Sequence, residues 1–364
     1  MKINEILQHL ETVAPRSYQE SYDNAQLITG ESSWECTGVL LTLDAIEIIV
    51  EEAIETGCNL IIAHHPIVFS GLKTITGKNY IERTIIKAIK NDIAIYACHT
   101  NLDNVKTGVN QRIADQLGLI NTKVLAPKTG VLKKLYTYVP TDHQEEIMNA
   151  LFKAGAGRIG EYSECSFSSS GEGTFKGSDA SQPFLGDKGV RHHEKEVKLE
   201  VLFPMDNEAK VLSALMASHP YEEVAYEVVS LDNLHPEIGS GLVGELPEPM
   251  EAKLFLERMK EQMNTDCVRY TDLVHQSIKK VAVCGGAGSF LLPNAIRSGA
   301  QVFITGDFKY HQFFDADGKI IIADIGHYES EQFTSALIYD ILSQKFDNFA
   351  VRLSKYNTNP INYL

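Results

Sequence analysis

The sequence predicts an α/β protein, with an outer body built from the two ends of the chain and a smaller α+β domain inserted between them. Three observations carry this. Residues 1–126 alternate short continuous apolar runs with amphipathic stretches, the signature of buried, mostly parallel strands covered by helices. The same rhythm resumes after Gly239. Between them, residues 131–231 follow the order βαββαβ, the ferredoxin-like pattern. Pro127 on one side and Leu234-His235-Pro236 on the other mark the seams. The expected segments are thus 1–130 and 236–364 for the body and 131–235 for the insert.

The elements follow in order. Ile3 to Val13 has helical spacing of Ile, Leu and Val, and Val39-Leu40-Leu41-Thr42-Leu43 is a strand ending at Asp44. Ile46 to Glu55 is an amphipathic helix, Asn59 to Ala63 a strand, Asn79 to Lys90 a helix, and Ile93 to Ala97 a strand. Gly108 to Leu117 is a helix with Gly118 in the stop position. In the insert, Lys134 to Val139, Glu164 to Ser169, Glu196 to Phe203 and Val224 to Val229 read as strands, and His143 to Ala154 and Asn207 to Ser218 as helices. Ser168 to Gly189 reads as a Gly/Ser-rich loop. The return segment offers helices at Lys253 to Gln262, Phe290 to Ser298 and Ser330 to Gln344, with strands at Lys280 to Cys284, Gln301 to Thr305 and Lys319 to Ala323.

Composition narrows the function classes. With 364 residues, 44% hydrophobic and 22% charged, the chain is of ordinary globular make-up, and two or three domains are expected. No run reaches the ~18 apolar residues that span a bilayer. The start, Met1-Lys2-Ile3-Asn4-Glu5, has no signal-peptide pattern, and the six scattered cysteines suit reduced thiols, so a cytoplasmic protein is expected. A net charge of −15 repels a phosphate backbone, which disfavours nucleic acid as a partner.

In open α/β sheets ligands gather beyond the carboxyl ends of the strands. Here those ends carry Asp44, His64-His65, Cys98-His99 with Asp103 following, Asp307 with His311 four residues on, and His327 with Glu331. A lone His-His pair is more often structural, but adjacent imidazoles diverge and suit two ions lying side by side. His327 and Glu331 stand at i and i+4, so one helical face presents both. The set His64, His65, Asp103, His327 and Glu331 mixes nitrogen and oxygen donors, which suits Zn, Fe or Mn rather than calcium. Asp44 is a candidate to orient a ligand imidazole. Cys98 and Cys284 read as packing residues, and the Cys284-to-Ser289 run as a tight strand-to-helix turn. His192-His193, in the polar loop, is assigned no role.

Four motifs then resemble the NIF3 family, also labelled GTP cyclohydrolase 1 type 2 homolog or DUF34. They are Ile62-Ala63-His64-His65-Pro66, His99-Thr100-Asn101-Leu102-Asp103, Ile304 to His311, and Gly326-His327-Tyr328-Glu329-Ser330-Glu331. In the middle, Gly160 to Phe167, Gly171 to Phe175 and His219 to Tyr226 resemble longer bacterial members carrying a PII/CutA1-like insert. One departure stands near the start: relatives show Trp-Asp-Asn-Val-Gly-Leu where this chain has Tyr22-Asp23-Asn24-Ala25-Gln26-Leu27. The resemblance implies a two-lobed NIF3-like body, a dinuclear metal site on the five residues above, and a homohexameric ring with the sites facing its cavity. The reading it favours is a metal-dependent hydrolase acting on a small molecule, a nucleotide or phosphoester among them. Two ions about 3.5–4 Å apart would polarise the substrate and activate a bridging water, with Asp307 or His311 as the proton-transfer candidate. The competing expectation is a non-catalytic metal-binding hexamer that senses a ligand or partner through its PII-like insert.

Overall fold

A computed structural model describes residues 1–364. The chain forms two compact units, Met1–Pro127 together with Pro236–Leu364, and Lys128–His235. No helix is long and apolar enough to cross a membrane.

The first unit opens with β1 (Leu27–Thr29), β2 (Val39–Asp44), β3 (Leu60–His65), β4 (Ala94–Ala97) and β5 (Ile120–Pro127). The second unit contributes β6 (Leu132–Pro140), β7 (Ser166–Lys176), β8 (Arg191–Pro204) and β9 (Tyr226–Leu231). The return segment adds β10 (Gly239–Glu251), β11 (Arg269–Tyr270), β12 (Ser277–Ala287), β13 (Val302–Gly306), β14 (Ile321–Asp324) and β15 (Val351–Leu353).

In the first unit these strands make two sheets. One has the order β1-β4-β3-β2-β15, with the last four strands parallel and β1 antiparallel at the edge. Its strands read as solid apolar runs because residues on both faces are buried, Leu41, Ile62 and Tyr96 as well as Leu40, Ile61 and Ile95. On the latter face Leu40, Ile61, Ala63 and Ile95 pack with Ile49, Val50, Ala53, Ile85 and Ala88 from two helices, Glu47–Thr56 and Tyr80–Lys90. Each Leu, Ile or Val among these contributes roughly 1.5–3 kcal/mol by leaving water. The helices stop and start where the chemistry dictates. Gly57, at φ +69°, takes the left-handed C-terminal position, and Asn79 accepts a hydrogen bond from the Glu82 amide at 2.9 Å.

The other sheet has the order β11-β14-β13-β12-β10-β5. Only β12, β13 and β14 run parallel; β10 lies antiparallel to both β12 and β5, and β11 antiparallel to β14. The expectation of a mostly parallel sheet is therefore corrected to a mixed one here. β10 escaped the sequence reading because three glycines and two prolines punctuate it like a loop. Pro247 and Pro249 fall where the pairing with β12 shifts register, between Glu245 and Met250, so neither removes a ladder bond from a central stretch. The expected helix from Ser330 to Gln344 is two helices, His327–Glu331 and Thr334–Lys345.

The second unit is a four-stranded antiparallel sheet of order β7-β8-β6-β9. In the unit's own strand order this is 2-3-1-4, the ferredoxin-like topology that βαββαβ predicts. Helices Gln144–Lys153 and Glu208–Ser218 bury Ile147, Leu151, Val211 and Leu215 against Leu135, Val139, Leu199, Val201 and Phe203. One expectation fails in part: the first nine residues of the Gly/Ser-rich stretch, Ser168 to Lys176, are strand. β7 runs to Lys176 and pairs continuously with β8 from Ser166↔Val201 to Lys176↔Arg191, which also puts His192 and His193 in a strand. Gly173 is there for space: a Cβ on it would lie 1.9 Å from the Glu196 carboxylate.

Candidate metal centre

The parallel strands of both sheets in the first unit end at one cleft. His64 and His65 close β3, the middle strand of its sheet, and Asp44 closes its neighbour β2. Asp103 ends the single-turn helix Thr100–Asp103 after β4. Asp307 follows β13, and His327 opens the helix His327–Glu331 just past β14. Gly326 (φ +96°) makes the sharp entry to that helix, whose one turn presents His327 and Glu331 on the same side.

Each imidazole is held through its Nδ1, which leaves Nε2 pointing into the centre. His64 Nδ1 lies 2.8 Å from the Cys98 carbonyl oxygen. A carbonyl only accepts, so the proton is on Nδ1 and Nε2 carries a lone pair. His65 Nδ1 sits 2.8 Å from Asp44 Oδ1, and His327 Nδ1 2.7 Å from Asp307 Oδ2. Fixing the ring by a carboxylate or carbonyl behind it is the arrangement metal-ligating histidines need. It also explains how neighbours in one strand serve one place, their ring centroids only 4.9 Å apart.

Glu331 lies between the two halves and is 3% exposed. Its Oε1 is 3.7 Å from His64 Nε2, which is 3.6 Å from Asp103 Oδ1. Its Oε2 is 2.9 Å from His65 Nε2 and 3.2 Å from His327 Nε2. The donors thus fall into two triplets that share Glu331: His64 with Asp103, and His65 with His327.

Whether a cation fits can be tested on the buried atoms themselves. His64 Nε2 and Asp103 Oδ1 are shut away from solvent with no hydrogen-bond partner. A buried acceptor left unmade costs about 1–3 kcal/mol, so two of them side by side, facing a carboxylate, want a positive centre. The protonation preferences agree. Burial, then the nearby charge of Glu331, pushes the Asp103 carboxyl up to about 7. Burial opposes charge on His65, but Asp44 and Glu331 overcome it and raise the ring to about 10. For His327 the same burial is overcome by Asp307 and Glu331, to about 11. Protons thus take the places that cations would fill in a pocket this rich in carboxylate.

Glycines make the room. A Cβ on Gly286 (φ +61°) would stand 2.5 Å from Glu331 Oε1, and the Gly286 amide donates to Ser330 Oγ at 2.9 Å. The Cys284-to-Ser289 run is the back wall of the site as well as a turn. Cys98 and Cys284 are buried packing residues whose thiols burial pushes up, that of Cys98 to about 12.

A histidine lining the cleft and the buried carboxylate behind it were not singled out from sequence. His99 lies with its ring centroid 5.3 Å from His64 and 5.5 Å from His65, and its Nδ1 is 2.7 Å from Asp23 Oδ1. Asp23 also accepts from the Thr100 amide at 3.0 Å. The signal was present, since His99 begins one motif and Asp23 sits in the Tyr22-to-Leu27 stretch. His311, in contrast, stays away from the cluster. It is exposed in the turn Tyr310–Ala316, against Tyr310 and Phe314, and does not line the cleft. Asp307 reaches the site only through His327.

Above the cluster the cleft encloses about 560 Å³. Its polar floor is His65, His99, Asp103, His327 and Glu331, and its apolar walls include Leu43, Phe69, Tyr22 and Phe290.

Comparison with known proteins agrees with this architecture. The sequence profile described as Duf34/NIF3 (NGG1p interacting factor 3) matches residues 1–360. A Bacillus subtilis (strain 168) protein named GTP cyclohydrolase 1 type 2 homolog is 40% identical over 99% of this chain and 98% of its own. A protein of the same name from Halalkalibacterium halodurans is 39% identical over the same shares. Among solved structures, a Bacillus cereus protein related to NIF3 superposes with a TM-score of 0.86 at 38% identity, covering 100% of this chain and 99% of that one. With the fold, the motifs and the full-length matches in accord, the chain belongs to the Duf34/NIF3 family.

Proposed function

We propose that the cluster holds two divalent transition-metal ions, Zn, Fe or Mn, and that the protein is a hydrolase acting on a small molecule in the cleft. The observation that carries the reading is the pair of buried, partnerless atoms His64 Nε2 and Asp103 Oδ1 facing Glu331. His64, Asp103 and Glu331 Oε1 would hold one ion; His65, His327 and Glu331 Oε2 would hold the other. Such a pair supplies Lewis-acid polarisation of the substrate and acidifies water at neutral pH.

The chain's own residues do the rest. Asp44 and Asp307 fix the tautomers of His65 and His327, so both Nε2 atoms stay free for binding. That makes Asp307 a positioning residue. His311, outside the cleft, takes no step. His99, backed by Asp23, lines the cleft and is the better placed group to carry a proton to or from substrate. The cavity volume lies inside the ~300–1,000 Å³ typical of small-molecule sites. The relatives' name directs the first substrate to try, a purine nucleotide such as GTP, whose ring Tyr22 and Phe69 could flank. A homohexameric ring with the sites facing its cavity belongs to the same proposal; light scattering giving a monomer would remove it.

The test is metal analysis followed by turnover on the purified protein, with formate release from GTP as the first readout and a phosphoester panel as the second. Two ions per chain, and turnover that disappears in Glu331→Gln while the fold persists, support the reading. Turnover unchanged in that variant rejects it.

A further inference from the structure

We infer that the inserted domain carries a second, independent binding site, selective for a small organic cation such as an alkylated or aryl-substituted amine. The site is a cavity of about 700 Å³ lying wholly within the second unit, between the β7–β8 hairpin and the segment Tyr221–Ala225.

Its base is a buried carboxylate. Glu196, on β8, is only 9% exposed and lines the cavity. One of its oxygens, Oε1, accepts from the Tyr221 hydroxyl at 2.8 Å. The other, Oε2, lies over the bare backbone of Gly173, in space that any side chain there would occupy. No cation of the protein reaches it. Lys198, which lines the same cavity, turns its ammonium to Glu200 at 3.3 Å and to the face of Tyr136 at 4.3 Å. A buried carboxylate that lines a cavity, with only one oxygen hydrogen-bonded to a side chain, is a seat for a positive group, since an unpaired buried charge is costly.

The walls suit the same class of ligand. Phe175, Phe184 and Tyr221 form a continuous aromatic side, with ring centroids 5.8 Å and 6.4 Å from Tyr221. Aromatic faces attract cations through their quadrupole and best hold weakly hydrated, substituted ammonium groups. The floor is flat because β7 alternates glycine on this face: Gly171 pairs with Glu196 and Gly173 with Glu194. A Cβ added at Gly171 would meet nothing within 4 Å, so open space stands directly above it. A metal ion is a poorer fit, because Glu196 is the one buried carboxylate lining the cavity and no histidine lines it. This also accounts for the glycines of the Gly171-to-Phe175 motif, which the metal centre does not use.

The test uses the full chain and isothermal titration calorimetry with benzyltrimethylammonium, set against phenylphosphonate as an anion bearing the same ring. Saturable binding of the cation is expected, with no binding of the anion. Glu196→Gln keeps an acceptor for Tyr221 but removes the charge, and should weaken the cation at least tenfold. Should that variant fail to fold, Gly171→Leu, whose Cβ enters open space and whose side chain fills the cavity beside Glu196, should abolish binding, and Phe184→Ala should weaken it several-fold. Binding that persists at full strength in Gly171→Leu or Glu196→Gln, or that favours the phosphonate through Lys176 and Lys198, overturns the assignment. Metal content of the first unit should stay the same in all three variants, so failure here is separable from failure at the metal centre.

Discussion

Replacing Glu331 by glutamine should strip both metal sites at once, whereas replacing His64 should strip only one. The structure gives the reason, because Oε1 belongs to the His64–Asp103 triplet and Oε2 to the His65–His327 triplet. A four-ligand structural zinc site is worth about 10–16 kcal/mol at neutral pH, roughly 3–4 kcal/mol per ligand. At about 1.4 kcal/mol per tenfold, losing one donor lowers affinity on the order of 10²–10³-fold. Glu331→Gln removes the charge that faces both ions and turns one oxygen into an amide nitrogen that cannot ligate, so it weakens both, while His64→Ala applies the loss to the first alone and leaves His65 and His327 intact. The measurement is metal per chain by plasma mass spectrometry after dialysis against a series of metal buffers. Wild type should hold two ions across the series, His64→Ala one, and Glu331→Gln none until the buffered metal is raised by two to three decades. Thermal melts add an independent readout, since ligand-linked stabilisation shrinks as affinity falls. Two ions retained by Glu331→Gln at wild-type affinity, or simultaneous loss of both in His64→Ala, would refute the shared-carboxylate geometry.

Asp44→Asn should weaken the ion at His65 and His327 by about 10–100-fold, the usual effect of losing the group behind a ligand imidazole, with the other ion unaffected; competition with a chromogenic chelator measures it. Gly286→Ala should lower metal content and stability together, because a Cβ there lands 2.5 Å from Glu331 Oε1 on a backbone at φ +61°; the same substitution at Gly57, where nothing lies within 4 Å, isolates the cost of the left-handed backbone alone. The acid limb of stability should depend on Glu82. Its carboxylate accepts from the amides of Thr76 and Lys78 and the Thr76 hydroxyl, which lowers it from 4.5 to about 2. A depressed carboxylate stabilises above its unfolded value and loses that contribution as it protonates in the folded state. Wild type should therefore exceed Glu82→Gln in melting temperature by a constant margin above about pH 4.5, and the margin should close toward about pH 2. A margin independent of pH across that window would contradict it.

Much of the donor set is legible in the sequence. Strand ends in an α/β body are where polar groups collect, so His64, His65, Asp103, His327 and Glu331 stood out as a set. What could not be read was the order behind them. That Asp44 serves His65 while Asp307 serves His327 depends on which strands lie side by side, and β2 and β13 sit in different sheets. His99 looked like one more residue of a motif until Asp23, 76 positions earlier, met its Nδ1. His311 carried the right chemistry in the right motif, yet a local turn holds it against Tyr310 and Phe314.

The amino-acid order is enough to specify periodicity, and through it the α/β body and the βαββαβ insert, because burial of alternating or helical faces is a local property of the chain. It also specifies the donor types, imidazole and carboxylate. Strand order, by contrast, is settled by contacts between residues hundreds of positions apart. β15 pairs with β2, and β10, disguised by its glycines and prolines, bridges β5 and β12. Only that pairing brings Glu331 within reach of His65, 266 residues before it, and only there do two imidazoles and a carboxylate become one site.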